Sequence, residues 1–327
     1  MTLQEIAAAI KQAKNVLALT HVSPDPDAIG SSGALVLALN SIGIKAKLLL
    51  EAEPEYKIRE LAKTIPIIYE LQKAESFDLV VGLDTSTKKR LAGYQDGLVK
   101  ADGKIINIDH HVSSEISWAT MNFVSDKYPA ASAIVFEILN LLEVKIDSVM
   151  ANLLLAGLMD DTGSFRFSNT NEIAFNTALG LLRCGANSEL VSNNLYYSIP
   201  QRILNLTSIC LSDMRYFAEG RGSLIFLTRE LLEELGAQDG DTDVLPDIGR
   251  SAAGVIVSVI IRPGMREKGK WKISLRSKER RIDVNKIAAK FGGGGHIQAS
   301  AFVYQGNEIA RIESALLDEI TRWLDLL

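Results

Sequence analysis

"KIINIDHHVS", residues 104–113, is an apolar run that ends in an aspartate and two adjacent histidines. The chain has four histidines among its 327 residues and places two of them here. Ile105, Ile106 and Ile108 read as a buried strand, so Asp109, His110 and His111 emerge where it ends. The same pattern recurs upstream. "NVLALTH" (15–21) is an apolar run ending at His21, followed by Asp25 and Asp27 in "HVSPDPDAIG" (21–30). "FDLVVGLDTS" (77–86) carries Asp84 at its end, and "KAKLLL" (45–50) is a further short strand. Between them, "DAIGSSGALVLALNSIG" (27–43) has helical spacing and closes on a glycine. Near-continuous apolar strands alternating with helices predict an α/β domain built on a parallel sheet, with helices on both faces.

Helical patterns follow at 130–144, 147–160 and 171–184, then a polar, Asn-rich helical stretch at 188–215. From Gly222 strands return: "GSLIFLT" (222–228), "AAGVIVSVIIRP" (252–263) and "KWKISLRS" (270–277), with the helical "VNKIAAKF" (284–291) after them. The length exceeds what one core usually supports. The expected organisation is a catalytic metal-binding domain at 1–190, a helical connector at 191–215 and a smaller α/β domain at 216–327, with the active site in the interdomain cleft.

Composition narrows the class. Hydrophobic residues make up 47% and charged residues 23%, as in an ordinary soluble protein. No apolar run approaches the roughly 18 residues of a membrane span. The N-terminus carries Glu5 within a helical pattern and does not read as a secretion signal. Cys184 and Cys210 form neither a disulfide framework nor a metal-ligand spacing. The cytoplasm is the expected compartment. The net charge of -5 is uneven: residues 262–290 hold eleven Lys or Arg against three acids, so the remainder is strongly acidic. A basic island on an acidic protein suits a small anionic ligand better than long nucleic acid.

In open α/β sheets, ligands bind beyond the carboxyl ends of the strands. Three strand ends here deliver Asp25, Asp27, Asp84 and Asp109 with His21, His110 and His111 to one rim. Without counter-ions those carboxylates would repel one another and raise their pKa values. A divalent cation, or a pair sharing a carboxylate, removes that cost. The mixture of oxygen and imidazole donors without thiolate points to Mn²⁺, Mg²⁺, Fe²⁺ or Zn²⁺. Asp84, alone on its strand, is the natural bridge between two ions. "GLMDDTGSFRF" (157–167) adds Asp160 and Asp161 at a helix end, and helix amides near Gly30 to Ser32 offer a place for an anion.

Taken in order, "HVSPDPDAIGSS", "GLDTS", "NIDHH" and "DDTGSF" resemble the successive motifs of the DHH phosphoesterase superfamily, which includes RecJ-like exonucleases, family II pyrophosphatases and small-oligonucleotide hydrolases. The resemblance spans about residues 15–170. It implies two divalent ions, Mn²⁺ above all, with His21, Asp25 and Asp84 holding one and Asp27, Asp84, His110 and Asp161 the other. His111 would sit over the scissile phosphate as acid or oxyanion stabiliser, with Asp109 orienting the histidine pair. Pro26 stands where many relatives have Gly, which stiffens the turn and replaces no ligand. Asp160 receives no role.

"KFGGGGHIQASAF" (290–302) lets a ligand approach the backbone and can form an anion nest. It lacks the Gly-Lys-Ser/Thr of a phosphate-binding P-loop and the spacing of a dinucleotide turn. It resembles the glycine-glycine-glycine-histidine motif of the DHH-associated C-terminal domain. By that resemblance Gly293, Gly294, Gly295 and His296, with Arg276 of the preceding strand, bind the terminal phosphate and nucleotide of the substrate. Relatives commonly end this motif in Gly where Ala301 stands. Phe291 and Trp271 are expected to pack in the core.

The two-domain layout most resembles the oligoribonuclease and pAp phosphatase group of the superfamily. The implied activity is hydrolysis of short RNA oligonucleotides to mononucleotides and removal of the 3′-phosphate of pAp, by metal-activated water attacking phosphorus. A phosphodiesterase for cyclic or linear dinucleotides (c-di-AMP or pApA type) shares every motif and is the alternative. A family II pyrophosphatase would be expected to carry a Ser-Arg-Lys-Lys signature, absent here, and a long-strand exonuclease needs further domains. A non-catalytic nucleotide-sensing module predicts a broken ligand set, and none is broken. The expected partners are short RNA oligonucleotides or small phosphorylated nucleotides, with no long duplex and no membrane. A homodimer is compatible with the apolar surface helices.

Overall fold

Short apolar strands set the frame of the first half of the chain. β1 (Asn15–Leu19), β2 (Lys45–Leu49), β3 (Ile67–Ile68), β4 (Leu79–Leu83), β5 (Ile105–Asp109) and β6 (Met121–Val124) form one sheet in the order β3-β2-β1-β4-β5-β6. Every pairing in it is parallel, as the unbroken apolar runs require. The order reverses between β1 and β4, which is where the crevice of such a sheet opens. These facts come from a computed structural model that describes residues 1–72, 75–85, 87–88, 90–91, 104–111, 118–238, 240–264 and 269–327. Part of the basic island, 265–268, lies outside the described residues.

Strand alternation divides the core. Val16, Ala18, Val81, Ile106 and Ile108 point into the larger cluster, while Leu17, Leu19 and Val80 point to a smaller one on the opposite face. The larger cluster receives α1 (Leu3–Lys11), α2 (Pro26–Ser41), α3 (Tyr56–Ala62), α4 (Ala131–Leu141), α5 (Ser148–Asp161), α6 (Glu172–Arg183) and α7 (Ser188–Tyr196). α1 starts with a Thr2–Glu5 capping box and buries Leu3, Ile6, Ala7 and Ile10, one face of a helix. α2 is buried nearly all round. Each fully buried Leu or Ile in it contributes about 1.5–3 kcal/mol.

α2 and α5 meet almost backbone to backbone. A Cβ on Gly30 would stand 2.3 Å from Leu153 O, and one on Gly157 would stand 2.5 Å from Asp27 Oδ1. Glycine inside a helix costs roughly 1 kcal/mol against alanine. Here that cost is offset by the close approach, which sets the spacing between Asp27 on α2 and Asp161 at the end of α5.

The chain divides into two units, residues 1–199 and 200–327. The second contains α8 (Gln201–Ser212), β7 (Arg215–Phe217), β8 (Gly222–Phe226), α9 (Arg229–Glu234), α10 (Leu245–Gly249), β9 (Val257–Pro263), β10 (Lys270–Ser277), α11 (Val284–Lys290), β11 (Gly294–His296), β12 (Ala299–Gln305) and α12 (Ile309–Leu324). Its sheet runs β11-β12-β10-β9-β8-β7, antiparallel except for β8 beside β9. α11 and α12 cover one face, and α8, α9 and α10 cover the other. Phe291 stacks on Phe302 and half-buried Trp271 packs beside Phe226, both against the core as expected. Cys184 is half-buried, Cys210 is buried, and both are free thiols. Among the described residues no helix is long and apolar enough to cross a membrane.

Candidate metal centre

His21 leaves β1 and donates its Nδ1 hydrogen to Val22 O at 2.9 Å. That bond turns Nε2 toward Asp25 Oδ2 (3.6 Å) and Asp84 Oδ2 (3.5 Å) and selects the tautomer a metal ligand needs. Asp25 serves two purposes. As N-cap of α2 its Oδ1 accepts the amides of Asp27 (3.1 Å) and Ala28 (2.9 Å), which leaves Oδ2 for the cluster. Pro26 occupies the first helical position, where its missing N–H costs nothing. The amide site expected near Gly30 to Ser32 is therefore corrected: the helix starts earlier, Asp25 caps it, and those three residues are wholly buried in its second turn.

Asp27 is fully buried, and its Oδ2 and Oδ1 accept the amides of Ala131 (2.6 Å) and Ser132 (2.9 Å) at the N-terminus of α4. The positive end of that helix favours a carboxylate there. Asp84 stands directly after β4 with φ +53°, a conformation uncommon outside glycine, and its N–H donates to Ile108 O at 3.0 Å. Its two oxygens face different partners. Oδ2 faces His21, while Oδ1 lies 3.4 Å from both His110 Nε2 and His111 Nδ1. His110 Nε2 is 2.9 Å from Asp161 Oδ2. Asp109 Oδ1 accepts from His111 twice, from the ring Nδ1 at 2.8 Å and from the backbone N–H at 3.1 Å. Asp160 lies 3.7 Å from Lys57 of α3.

One ligand atom each from His21, Asp25 and Asp84 falls within 4.8 Å of the others. The same holds for Asp27, His110 and Asp161, and for Asp84, Asp109, His110 and His111. Among the described residues, His21 Nε2, Asp84 Oδ1, His110 Nε2 and Asp161 Oδ2 are buried and complete no hydrogen bond. Each such atom costs about 1–3 kcal/mol if left so, and a divalent cation would turn the cost into ligation. The donors present thus fit a metal ion, and their oxygen-and-imidazole chemistry suits Mn²⁺ or its neighbours.

The protonation of the metal-free cluster reflects its crowding. Burial opposes a charge on His21, but the Asp25 and Asp84 carboxylates facing its Nε2 outweigh it and raise the pKa to about 10. His110 is also raised, since Asp161 and Asp84 overcome its burial. Asp27 is pushed up to about 7 by burial and by the charge on Asp84. Asp161 is raised by burial and by Asp27. Asp84 moves the other way: burial disfavours its charge, yet the His110 and His21 imidazoles facing its two oxygens hold its pKa below the usual range.

Between the ordinary aspartate pKa and about 7, folded Asp27 holds a proton that the unfolded chain has released; from about 6.5 to about 10 the same is true of His21. Stability of the metal-free protein therefore falls as pH rises through this window. Metal displaces those protons and binds more tightly as pH rises. The expected result is a melting temperature that declines from about pH 5 to about pH 9 in EDTA, with a Mn²⁺-induced increase that grows over the same range. Identical pH dependence with and without Mn²⁺ would contradict it.

In the second unit, Arg276 of β10 and His296 of β11 are both cross-strand partners of Ala299 on β12. They occupy one row of the sheet, two strand spacings or about 10 Å apart. Ser258 of β9 continues the row on the far side of Arg276. Arg276 is half-buried, and its one hydrogen bond among the described residues runs from Nη1 to Leu275 O at 3.2 Å. The end of the glycine run, Gly294 and Gly295, pairs with His296 as β11 against β12. A Cβ on Gly293 would meet Ala301 O at 2.3 Å, and Gly295 (φ +148°) would meet Ala299 O at 2.6 Å. Gly294 has room for a methyl group, with Asn285 Oδ1 nearest at 3.6 Å.

Comparison with known proteins agrees with this arrangement. The DHH family N-terminal domain matches residues 15–158 and the DHHA1 domain matches residues 226–325. The chain is 32% identical to the bifunctional oligoribonuclease and PAP phosphatase NrnA of Thermus thermophilus, covering 93% of this chain and 89% of that protein. It is 26% identical to the protein of the same name from Bacillus subtilis, over 94% and 95%. Among solved structures, an exopolyphosphatase-related protein of Bacteroides fragilis shares the fold with a TM-score of 0.89 at 24% identity, over 99% of this chain and 97% of that one. RecJ of Thermus thermophilus, solved with Mn²⁺, gives 0.60 at 14% identity, over 98% of this chain and 55% of that one. By its match to the DHH and DHHA1 domains and its full-length likeness to these relatives, the chain belongs to the DHH family.

Proposed function

We propose that this protein is a dinuclear metal-dependent phosphoesterase that hydrolyses short RNA oligonucleotides to mononucleotides and removes the 3′-phosphate of pAp. The observation that carries the reading is the pair of ligand groups meeting at Asp84, whose two oxygens face His21 on one side and His110 on the other. The names of the Thermus and Bacillus relatives support the substrate class. His21, Asp25 and Asp84 would hold one ion, and Asp27, Asp84, His110 and Asp161 the other, most simply Mn²⁺.

When bound, two such ions lower the pKa of a coordinated water toward 7 and offset charge on the phosphate. The protein's own groups supply the rest. Asp109 fixes the His111 ring through Nδ1, so His111 presents its remaining edge to the phosphate as acid or oxyanion stabiliser. Val22 O and the α4 amides hold His21 and Asp27 in ligating orientation. In the second unit, Arg276, His296 and the backbone of Gly293, Gly294 and Gly295 would bind the terminal phosphate of the substrate.

A chromatographic assay with Mn²⁺ tests the reading, using two- to five-nucleotide RNA, pAp, cyclic di-AMP and pyrophosphate, with EDTA as control. Release of mononucleotides from the RNA and of phosphate from pAp, lost in EDTA, is the expected result. Preferential opening of cyclic di-AMP would replace it with a cyclic-dinucleotide phosphodiesterase. Silence across the panel with Mn²⁺ bound would leave a nucleotide-sensing module in its place.

A further inference from the structure

The C-terminal end of α5 poses an accounting problem, because the last four carbonyls of a helix lack intrahelical partners. Leu158 O accepts from Thr162 through both its N–H (3.2 Å) and its hydroxyl (2.6 Å). Met159 O accepts the Ser164 N–H at 2.7 Å, and Asp160 O accepts the Gly163 N–H at 3.0 Å. Asp161 O accepts no backbone amide among the described residues. Its donor is the side chain of Asn169, Nδ2 at 3.1 Å.

The same nitrogen donates to Pro129 O at 3.0 Å. A primary amide carries two hydrogens, so both bonds can form together. Pro129 directly precedes Ala130, the N-cap of α4, whose first amides grip both oxygens of Asp27. One side chain therefore ties the backbone of Asp161 to the segment that holds Asp27. These are the two carboxylates of the group that includes His110.

The chain accepts costs to make this contact. Gly163, Ser164 and Phe165 follow the helix with φ of +55°, +56° and +62°, and this left-handed turn sends the chain back toward Asn169. Two of the three carry side chains that disfavour such angles. The turn is held by Ser164 Oγ donating to Tyr196 Oη at 2.8 Å and by Phe165 N–H donating to Thr162 Oγ1 at 3.1 Å. Asn169 Oδ1 is buried and accepts no hydrogen bond among the described residues. Strain kept beside a site is grounds for a functional inference when the outlier itself is observed.

We infer that Asn169 is a positioning residue for the second metal group, setting the separation of the Asp27 and Asp161 carboxylates. The inference rests on the dinuclear reading above. Its test is a Mn²⁺ titration of the full chain by calorimetry, with kcat and KM measured on pAp. In Asn169→Ala the weaker Mn²⁺ affinity should fall about 10- to 100-fold, as expected for loss of a group that orients ligands. The turnover number kcat should fall with it at limiting Mn²⁺ and recover in excess Mn²⁺, while KM for pAp is unchanged. Asn171 reaches the same stretch before α4 but ties it to α6 instead of to Asp161, its Nδ2 donating to Lys127 O at 2.8 Å while its Oδ1 caps α6. Asn171→Ala should therefore lower the melting temperature and leave the Mn²⁺ isotherm as it was. Should Asn169→Ala not fold, Asn169→Ser, whose hydroxyl serves at most one carbonyl, provides the same comparison. An Asn169 variant with lower thermal stability but the wild-type isotherm would show a purely structural cap and overturn the inference. A wild-type isotherm with a single Mn²⁺ would instead remove the dinuclear reading and the inference with it.

Discussion

Asp84→Asn should abolish turnover while the protein stays folded. The choice of Asn matters because residue 84 has φ +53°. Asn tolerates that region better than Ala, so it isolates the loss of charge from added backbone strain. In the proposed dinuclear site Asp84 is the carboxylate both ions would share, its two oxygens facing His21 and His110, and a neutral amide with one oxygen could not serve two cations. The expected fall in kcat is on the order of 10³-fold or more, because the variant forfeits activation worth several pKa units of the attacking water. Thermal melts separate this from general damage. At about 100 times its Kd, Mn²⁺ stabilises the wild type by about 2.7 kcal/mol. For a unit of this size that is roughly 5–10 °C. The variant should lose that increment. It should also melt somewhat lower in EDTA, because the facing His110 and His21 rings favour the Asp84 charge against the cost of burial. Turnover within tenfold of wild type would end the dinuclear assignment. A variant that keeps the full Mn²⁺ increment yet turns over nothing would move Asp84 from ligand to catalytic group.

Much of this was legible in the sequence, for an identifiable physical reason. β1, β4 and β5 are apolar from end to end, so the first ionisable residues after them stand out as His21, Asp84 and the Asp109–His110–His111 run. Parallel pairing then places all of them at one edge, with β1 beside β4 where the strand order reverses. Those strands and their ligands could be placed without coordinates. Other features carry no local signal. A left-handed Asp84 follows from tertiary packing and leaves no trace in composition. Gly30 and Gly157 look like weak points of their helices, and only the contact between α2 and α5 explains them. Asp25 as a cap was hidden by its reading as a candidate ligand, although Ser-Pro-Asp-Pro-Asp contains the signal of an acid followed by proline at a helix start. β6, β7 and β11 are four residues long or shorter and are set by their neighbours rather than by periodicity. The role of Asn169 needed the return of the chain through 163–165, which no spacing rule encodes.

Arg276→Ala should raise KM for short phosphorylated substrates by about 10- to 100-fold, leaving kcat within a few-fold and Mn²⁺ stoichiometry unchanged. The size follows from a charge-assisted contact to phosphate, worth about 1.5–3 kcal/mol. The residue is unusual in the apo fold. A guanidinium offers five N–H donors, yet Arg276 makes one hydrogen bond, to the neighbouring carbonyl, and no ion pair among the described residues. Burial lowers its pKa, and Arg250 on the C-cap of α10 adds to that, while Asp247 and Asp243 only partly compensate. Arg250 is itself paired with Asp247 at 2.9 Å. Arg276 is thus a half-desolvated cation without a counter-ion of its own among the described residues, which suits the proposed phosphate site. The consequence for stability runs opposite to the consequence for function. Removing an uncompensated, half-buried charge should leave the melting temperature level or raise it. Arg276→Lys should fall between wild type and Ala, since it keeps the charge and loses the fork that grips two oxygens. If KM is unchanged while the melting temperature drops, Arg276 is a structural residue of the sheet and the phosphate site lies elsewhere. If KM rises while the melting temperature holds, the row shared by Arg276, Ala299 and His296 is where the substrate's phosphate is held.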